Sequence, residues 1–319
     1  MHTSGVAVSD KAVQFVRFSD KKQPELEAFG EILLPKGIIE TGSVKDSKKL
    51  TEVLSQLRQK HNLDLVEVSI PEEKSYLFKT TVLGDNLREI KSNLDLQIQD
   101  NVPFKASEVV FDFSIIGQLK SGHRDVVVSV LPRAVVEQYL AVFHEAGFTP
   151  ISFQVESQAV AQAAVPYGNR KNVLVVNVQD KKAGFYIVTK QTVRFSSTFE
   201  IDNTDLGINI LDEKLIPKEE IPKINDISVL IREIKKIMTY WRTHDGADES
   251  QAVQHIYLVG TIPEEIKTVD YISSNIPVAV EVSNVWQNAF SFEKTIPEMD
   301  RRDALRFSAA IGLALPNQE

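Results

Sequence analysis

The stretch LREIKSNLDLQIQDNVPFKASEVVFDF, residues 87–113, decides how the chain is divided. Its first part carries apolar residues at every third or fourth position, the spacing of a helix with one buried face: Leu87, Ile90, Leu94, Ile98 and Val102. Pro103 ends that helix, because a proline disfavours helical geometry in the residue before it. Val109, Phe111 and Phe113 then recur at every second position, the period of a strand. The stretch therefore predicts a helix that stops near residue 102 and passes into a strand.

The composition is that of an ordinary soluble globular protein. The chain has 319 residues, of which 43% are hydrophobic and 25% are charged, and this length favours two domains or one subdivided fold. The net charge of −8 argues against a general nucleic-acid binder, since phosphate binding requires clustered Lys and Arg. Cysteine is absent, which excludes disulfides and thiol chemistry. No run of about 18 apolar residues occurs and the N-terminus lacks a signal-peptide pattern, so we expect membrane attachment only through a partner or an interfacial helix.

Two halves of the chain begin in the same way. Three short strands at close spacing start the first half, and three more start at residue 172. Each set continues as α/β, so the duplication is one of element order and not of residues. Between them lies the order β-α-β-β-α-β of a split βαβ unit. The sequence predicts an α/β fold with a first domain of residues 1–74 and 151–170, an inserted subdomain of residues 75–150 and a second domain of residues 171–319.

Five short motifs occur along the chain at a characteristic spacing. They are Asn101-Val102-Pro103-Phe104, Glu108-Val109-Val110-Phe111-Asp112-Phe113, Glu145-Ala146-Gly147-Phe148-Thr149-Pro150, Glu156-Ser157-Gln158-Ala159 and Phe307-Ser308-Ala309-Ala310-Ile311-Gly312-Leu313-Ala314. In order and spacing they resemble one family, the type IV pilus assembly protein PilM, a relative of the cell-division protein FtsA. The resemblance covers nearly the whole chain. It implies the actin-like two-domain fold, with the insertion replacing a subdomain found in actin.

The resemblance also implies a function. The family's proteins are cytoplasmic scaffolds, recruited to the inner face of the cell membrane through the short N-terminal tail of a bitopic membrane partner, PilN. That tail docks between the insertion and the first domain. Other pilus platform proteins and self-association are further expected contacts. Two alternatives stay open: an active actin-like ATPase whose nucleotide state switches partner binding, and the cytoplasmic domain of a type II secretion platform protein.

The two phosphate-binding loops of the actin-like fold are altered in this chain. Such loops need glycine for close approach of the backbone to phosphate, and Asp to organise Mg²⁺. The family's first loop resembles Asp-x-Gly-Ser, and the matching stretch is Ala7-Val8-Ser9-Asp10, followed by Lys11. The second loop is usually Asp-x-Gly, and here it reads Asn177-Val178-Gln179-Asp180. Because both carboxylates and both glycines are replaced, we expect no ATP hydrolysis and no resident ATP or Mg²⁺.

Two other places match nucleotide contacts of the relatives. Gly260 and Thr261 stand where the adenosine-binding glycines lie, and Glu233 and Lys236 stand where relatives contact the ribose. The alternative is that Gly260 forms only the tight turn after a strand and that Glu233 and Lys236 lie on a solvated face. A nucleotide site, if present, is expected to be degenerate.

Apolar residues of the insertion are the candidates for binding the partner's tail. They are Phe104, Val109, Phe111, Phe113, Leu87 and Ile90. An apolar anchor with a few backbone hydrogen bonds would suffice for binding of about micromolar affinity. The alternative for each of them is the core of the insertion, where alternating strand aromatics usually lie.

The sequence predicts neither a catalytic residue nor a metal site. Its six histidines show no H-x-x-x-H spacing, and no G-x-S-x-G or G-x-x-x-x-G-K-[ST] motif occurs. Adjacent acidic pairs such as Glu72 and Glu73 do not converge on a helix face. We expect those pairs to be solvated charge.

Overall fold

The computed structural model describes residues 3–19, 24–119, 122–179, 182–200, 224–244, 252–261, 266–293 and 295–316. The elements up to residue 145 are, in chain order, β1 (Thr3–Val8), β2 (Ala12–Phe18), β3 (Leu26–Leu33), β4 (Ile39–Glu40), β5 (Ser43–Val44), α1 (Ser47–His61), β6 (Leu65–Ile70), a 3₁₀ turn (Glu72–Lys74), β7 (Tyr76–Val82), α2 (Leu87–Asn101), a 3₁₀ turn (Ala106–Glu108), β8 (Val109–Gln118), β9 (Arg124–Pro132) and α3 (Arg133–Glu145).

The elements that follow are β10 (Thr149–Val155), α4 (Glu156–Ala164), β11 (Val173–Gln179), β12 (Lys182–Thr189), β13 (Thr192–Glu200), α5 (Ile224–His244), β14 (His255–Gly260), α6 (Ile266–Asn275), β15 (Ala279–Val282), α7 (Arg301–Arg306) and α8 (Ser308–Ala314). The strands form two five-stranded sheets, with orders β10-β6-β1-β2-β3 and β13-β12-β11-β14-β15, a three-stranded sheet, β7-β9-β8, and a two-stranded sheet, β4-β5.

The two large sheets have the same topology. In the first, β1 pairs antiparallel with β2 and parallel with β6. In the second, β11 pairs antiparallel with β12 and parallel with β14. In each sheet the antiparallel hairpin continues into a third strand, β3 or β13. The repeated three-strand opening predicted from the sequence is therefore confirmed.

Helices α4 and α8 pack between the two large sheets. One buried cluster joins Ala7 and Val16 of the first sheet to Val173 and Val175 of the second through the small residues of these helices. Small side chains are needed because the helices approach closely. A Cβ added at Gly312 of α8 would lie 1.8 Å from the carbonyl oxygen of Ala159 in α4. Helices α1 and α3 cover the outer face of the first sheet, and α5 and α6 cover that of the second.

The stretch of residues 87–113 forms the predicted helix and strand. Asn86 caps α2 by accepting hydrogen bonds from the backbone N–H groups of Arg88 and Glu89. The helix ends at Asn101; its C-cap, Val102, is extended, and Pro103 follows. The apolar face of α2 packs on one face of the three-stranded sheet, where Ile90, Leu94 and Ile98 meet Val126, Val128 and Val130.

The predicted order β-α-β-β-α-β is present, but its elements belong to two layers. The first four share the three-stranded sheet and its core. Helix α3 instead packs against α1, with Tyr139 and Phe143 beside Leu50 and Leu54. Strand β10 pairs in parallel with β6 at the edge of the first large sheet. The domain boundaries drawn from the sequence remain predictions.

Candidate functional site

The β1–β2 and β11–β12 hairpins meet at a cleft of about 230 Å³, which we call the hairpin cleft. It lies between the two large sheets and also receives the end of β14 and the start of α4. The residues of the predicted nucleotide site that line it are Ser9, Lys11, Asn177, Gln179, Gly260 and Thr261. Asp180 lies outside the described residues. The structure thus brings together most of the positions that the sequence placed at one site.

Two residues of the first loop are engaged in local structure. The Ser9 hydroxyl donates to the Ala12 carbonyl at 3.1 Å and accepts from the Ala12 N–H at 3.1 Å, which closes the β1–β2 turn. The Asp10 carboxylate accepts hydrogen bonds from the backbone N–H groups of Thr41, at 2.7 Å, and Gly42, at 2.9 Å. Asp10 therefore fastens the β1–β2 turn to the β4–β5 hairpin.

The second loop is hydrogen-bonded to a buried carboxylate. Glu156 begins α4, is 5% exposed and lines the hairpin cleft. Its Oε1 accepts from Asn177 Nδ2 at 3.2 Å and from Gln179 Nε2 at 2.9 Å. The sequence matches Asn177 and Gln179 to the Asp and Gly of a phosphate loop. The amide groups of Asn177 and Gln179 thus donate hydrogen bonds to the buried Glu156 carboxylate.

A lysine bridges the two halves of the molecule beside this carboxylate. Lys182 Nζ, on β12, lies 2.5 Å from Glu73 Oε1 and 3.5 Å from Glu156 Oε2. Burial alone would lower the pKa of Lys182, but the charges of Glu156 and Glu73 outweigh it and raise that pKa well above its usual range. The ammonium is therefore the fixed counterion of two carboxylates at the edge of the cleft.

Glu72 and Glu73 are not the solvated pair that the sequence predicted, and that prediction was wrong. Glu72 is 5% exposed. Its Oε2 accepts the backbone N–H of Ser157 at 2.9 Å, and its Oε1 accepts the hydroxyl of Ser75 at 3.1 Å. Burial raises the pKa of Glu72, with a further contribution from the nearby charge of Glu156. The 3₁₀ turn that follows β6 therefore directs the side chains of Glu72 and Glu73 toward the interior.

Gly260 is required by the approach of two strands. Its φ is +92°, and a Cβ at this position would lie 1.9 Å from the carbonyl oxygen of Val178. The next residue, Thr261, donates its backbone N–H to the same carbonyl oxygen at 2.7 Å, and its hydroxyl lies 3.2 Å from it. The close approach of β11 and the positive φ of the turn therefore explain why position 260 is a glycine.

Glu233 and Lys236 pair with each other on α5. Lys236 Nζ lies 3.1 Å from Glu233 Oε2. The lysine is exposed, whereas Glu233 is 8% exposed. Neither is among the described residues that line the hairpin cleft.

A larger groove opens where the three-stranded sheet meets the two five-stranded sheets. Its volume is about 620 Å³, and it lies along β8, β10 and β13, so we call it the edge groove. Each of these is the terminal strand of its own sheet. A terminal strand offers one row of backbone N–H and C=O groups that its own sheet does not use. Terminal strands can pair with an added strand, which makes the edge groove a candidate site for an extended chain.

The wall of the edge groove is the face of the three-stranded sheet opposite α2. Leu77 of β7, Ser129 of β9 and Asp112 of β8 form one row across this face, by the strand registers. Val110 pairs with Leu131 in a neighbouring row. The described lining includes ten apolar residues: Leu77, Val110, Phe111, Phe113, Val127, Leu131, Val136, Phe153, Val155 and Val193. Asp112 is the one charged residue in that lining.

The residues predicted to bind the tail divide into two groups. Phe111 and Phe113 line the edge groove while also packing on the core of the insertion. Phe104, Val109 and Ile90 pack in or on that core and are not among the described lining residues. Leu87 is 67% exposed and also lies away from that lining.

Sequence reasoning missed the even-numbered positions of β8. Val110, Asp112 and Ser114 point to the face opposite α2, because successive side chains of a strand alternate. The sequence shows this alternation, but it does not show which face is left without a helix. The contributions of β10, α4 and β13, such as Phe153, Gln158 and Thr192, come from distant parts of the chain.

The described part of the chain has neither a membrane-spanning helix nor a metal-binding group of side chains. No helix there is long and apolar enough to cross a membrane. No three His, Cys, Asp or Glu side chains in the same residues are grouped as a metal site requires.

Comparison with known proteins gives one matching family. A model described as type IV pilus assembly protein PilM matches residues 5–213. No curated protein sequence matches the chain.

Solved structures share the fold. A PilM–PilN type IV pilus biogenesis complex matches with a TM-score of 0.78 and 18% identity, over 99% of this chain and 98% of that one. The ethanolamine utilization protein EutJ from Carboxydothermus hydrogenoformans gives 0.57 and 14%, over 99% and 89%. The cytoplasmic domain of EpsL, an inner membrane component of the type II secretion system of Vibrio cholerae, gives 0.52 and 11%, over 97% and 94%. The actin-like ATPase fold predicted from the sequence is confirmed.

Proposed function

Because this chain belongs to the type IV pilus assembly protein PilM family, we propose that it is a scaffold of the pilus or a related secretion platform. In this proposal it binds the short cytoplasmic tail of a PilN-like membrane protein in the edge groove, and that partner holds it at the inner face of the cell membrane. The resemblance to a solved PilM–PilN complex supports the choice of partner. The chain would act by binding and positioning its neighbours, without hydrolysing ATP.

The observation that carries this proposal is the edge groove itself. Its volume of about 620 Å³ suits a few side chains of an extended segment. Apolar residues on its wall can bury anchors, and the terminal strands β8 and β10 can supply backbone hydrogen bonds. The polar side chains Ser152 and Gln154 bond to Glu67, and Gln158 bonds to the backbone of the β12–β13 turn, so they hold the shape of the groove. This combination favours a peptide over a charged small molecule.

The absence of hydrolysis is supported by the hairpin cleft. Asn177 and Gln179 present amides where an ATPase needs a carboxylate and an open backbone, and both bind Glu156. The ammonium of Lys182 lies beside the same carboxylate, so the charge of Glu156 is already compensated within the protein and is not free for Mg²⁺. The described lining of the cleft therefore fits a Mg²⁺-nucleotide poorly.

The tail-binding proposal is tested with a synthetic peptide. The probe is the N-terminal cytoplasmic segment of the PilN-like protein from the same organism, labelled for fluorescence anisotropy and titrated with the full chain. We expect a dissociation constant of about micromolar magnitude. Ser114→Trp places an indole in the edge groove from an exposed strand position, and should weaken binding at least about tenfold.

The matched control is Ile115→Trp, on the adjacent position of β8. Ile115 pairs with Val126, whose side chain packs under α2, so its own side chain lies on the face away from the groove. The control should bind the peptide as the unmodified chain does. Equal weakening by both variants, or no binding by the unmodified chain, would refute docking in the edge groove.

A further inference from the structure

A second pocket continues the edge groove along the same sheet face. We call it the basic pocket; its volume is about 300 Å³. Lys79 of β7 lines it two residues beyond Leu77, and Asp125 of β9 lines it two residues from Val127. Residues two apart on a strand share one face and lie about 7 Å apart. An extended chain in the edge groove would thus reach the basic pocket within a few residues.

The basic pocket concentrates positive charge on an acidic protein. Lys79, Arg170, Lys190 and Arg194 line it, with Asp125 as the one carboxylate in the described lining. The whole chain carries a net charge of −8. Like charges held together repel each other, and their summed field attracts anions. The pocket is therefore complementary to a negatively charged group.

The cations come from separate segments that the fold holds in place. Lys190 and Gln191, in the β12–β13 turn, have φ values of 50° and 66°. Gln191 Nε2 donates to the carbonyl oxygens of Val165, at 3.2 Å, and Pro166, at 2.7 Å. These bonds fix the turn against the linker that carries Arg170. The arrangement is thus pre-organised, which reduces the entropy lost on binding.

We propose that the basic pocket binds acidic side chains of the same partner segment that occupies the edge groove. It would select tails with a carboxylate about two to four residues from the apolar anchors. This inference rests on the proposed function and adds a charge requirement to it. Lys190 and Arg170 are then determinants of specificity, since charge complementarity acts mainly on partner choice and association rate.

A peptide carboxylate suits the pocket better than a lipid headgroup. The pocket is a recess between β7 to β9 and the β12–β13 turn, and Arg194 within it is half-buried. A bilayer surface is flat, so its headgroups would reach the exposed Lys79, Arg170 and Lys190 more readily than Arg194. Continuity with the edge groove also favours one and the same chain as occupant.

The test uses the full chain and the peptide described above. Lys190→Glu and Arg170→Glu, separately, should each weaken peptide binding about 5- to 20-fold at 50 mM salt. The effect should shrink at 300 mM salt because screening reduces it. Lys235→Glu, on an exposed position of α5, makes the same change of charge and should leave binding unchanged. A peptide whose nearest acidic residue is replaced by Lys should bind Lys190→Glu better than it binds the unmodified chain.

The outcomes separate this inference from the proposed function. If Ser114→Trp abolishes binding but the charge variants bind normally, the edge groove binds the tail and the basic pocket does not. If the tail has no acidic residue near its apolar run, the basic pocket likewise does not bind it. Loss of binding to vesicles with 30% phosphatidylglycerol in the charge variants, with peptide binding intact, would assign the pocket to lipid and overturn the inference. No peptide binding by the unmodified chain would overturn both.

Discussion

Lys182 Nζ lies 2.5 Å from Glu73 Oε1 and so links the second large sheet to the 3₁₀ turn that follows β6 of the first. The same ammonium lies 3.5 Å from Glu156. The side chains of Lys182, Glu73 and Glu156 are 19%, 17% and 7% exposed, so solvent screens these charges weakly. The two halves of the molecule therefore meet at a charged contact beside the hairpin cleft.

Replacing Lys182 with Met should destabilise the fold. Two partly buried carboxylates would lose their counterion, and removing one partner of a buried pair lowers the free energy of unfolding by about 3 kcal/mol. Urea denaturation at pH 7 measures this loss. The double variant Lys182→Met/Glu73→Gln should regain at least half of it, because it removes one of the uncompensated charges. A single variant as stable as the unmodified chain would place this contact among exposed pairs of little energetic value.

Glu72 should make stability depend on pH. Burial raises its pKa above the ordinary value of 4.5, so the folded chain keeps this proton to a higher pH than the unfolded chain does. Between those two pKa values the unfolded state binds fewer protons, and the free energy of unfolding falls as pH rises. Glu72→Gln should abolish this contribution. Its carboxamide oxygen can still accept the N–H of Ser157.

The measurement is urea denaturation from pH 4 to pH 8. The stability of Glu72→Gln relative to the unmodified chain should increase across this range. Glu52→Gln, at an exposed position of α1, is the matched control and should show a constant difference. A constant difference for Glu72→Gln as well would mean that its folded pKa is close to the ordinary value.

Gly260→Ala should be severely destabilising. The new methyl would lie 1.9 Å from the Val178 carbonyl oxygen, and the φ of +92° is strained for alanine. We expect the free energy of unfolding to fall by more than about 3 kcal/mol, or the variant to give no soluble protein. Gly37→Ala separates the two causes: its φ is +88°, but nothing lies within 4 Å of the added Cβ. Gly37→Ala should lower the free energy of unfolding by about 1–2 kcal/mol, because it introduces backbone strain without a clash. Similar losses for both variants in thermal unfolding would contradict the predicted clash.

The repeated architecture could be predicted because local patterns encode it. Period-two and period-3.6 spacing placed the strands and α2, and Pro103 marked the end of that helix. Contacts between segments that are distant in sequence leave no such pattern in the local sequence. Asp10 binds the backbone of Thr41 and Gly42, 31 and 32 residues away, and nothing in its neighbourhood indicates this.

The hairpin cleft was predicted from the spacing of its loops, whereas of the edge groove only Phe111 and Phe113 were among the predicted residues. The two hairpin loops and Gly260 do meet at one cleft. The edge groove instead depends on which face of the three-stranded sheet lacks a helix, and on terminal strands from three sheets. The basic pocket depends on a turn that brings Lys190 close to Arg170. These are tertiary relationships, which alternation within one strand does not specify.

Millimolar Mg-ATP should leave the thermal unfolding midpoint of the chain unchanged. A ligand at 100 times its dissociation constant would add about 2.7 kcal/mol, which for a chain of this size raises the midpoint by a few degrees. No rise is expected because the amides of Asn177 and Gln179 and the ammonium of Lys182 already engage the Glu156 carboxylate. The double variant Asn177→Asp/Gln179→Gly restores the Asp-x-Gly pattern of the second loop. It should be less stable than the unmodified chain without ligand, since the new carboxylate would face Glu156. A rise of several degrees in the unmodified chain, with phosphate release above the background, would instead identify an active ATPase and make nucleotide state the switch for partner binding.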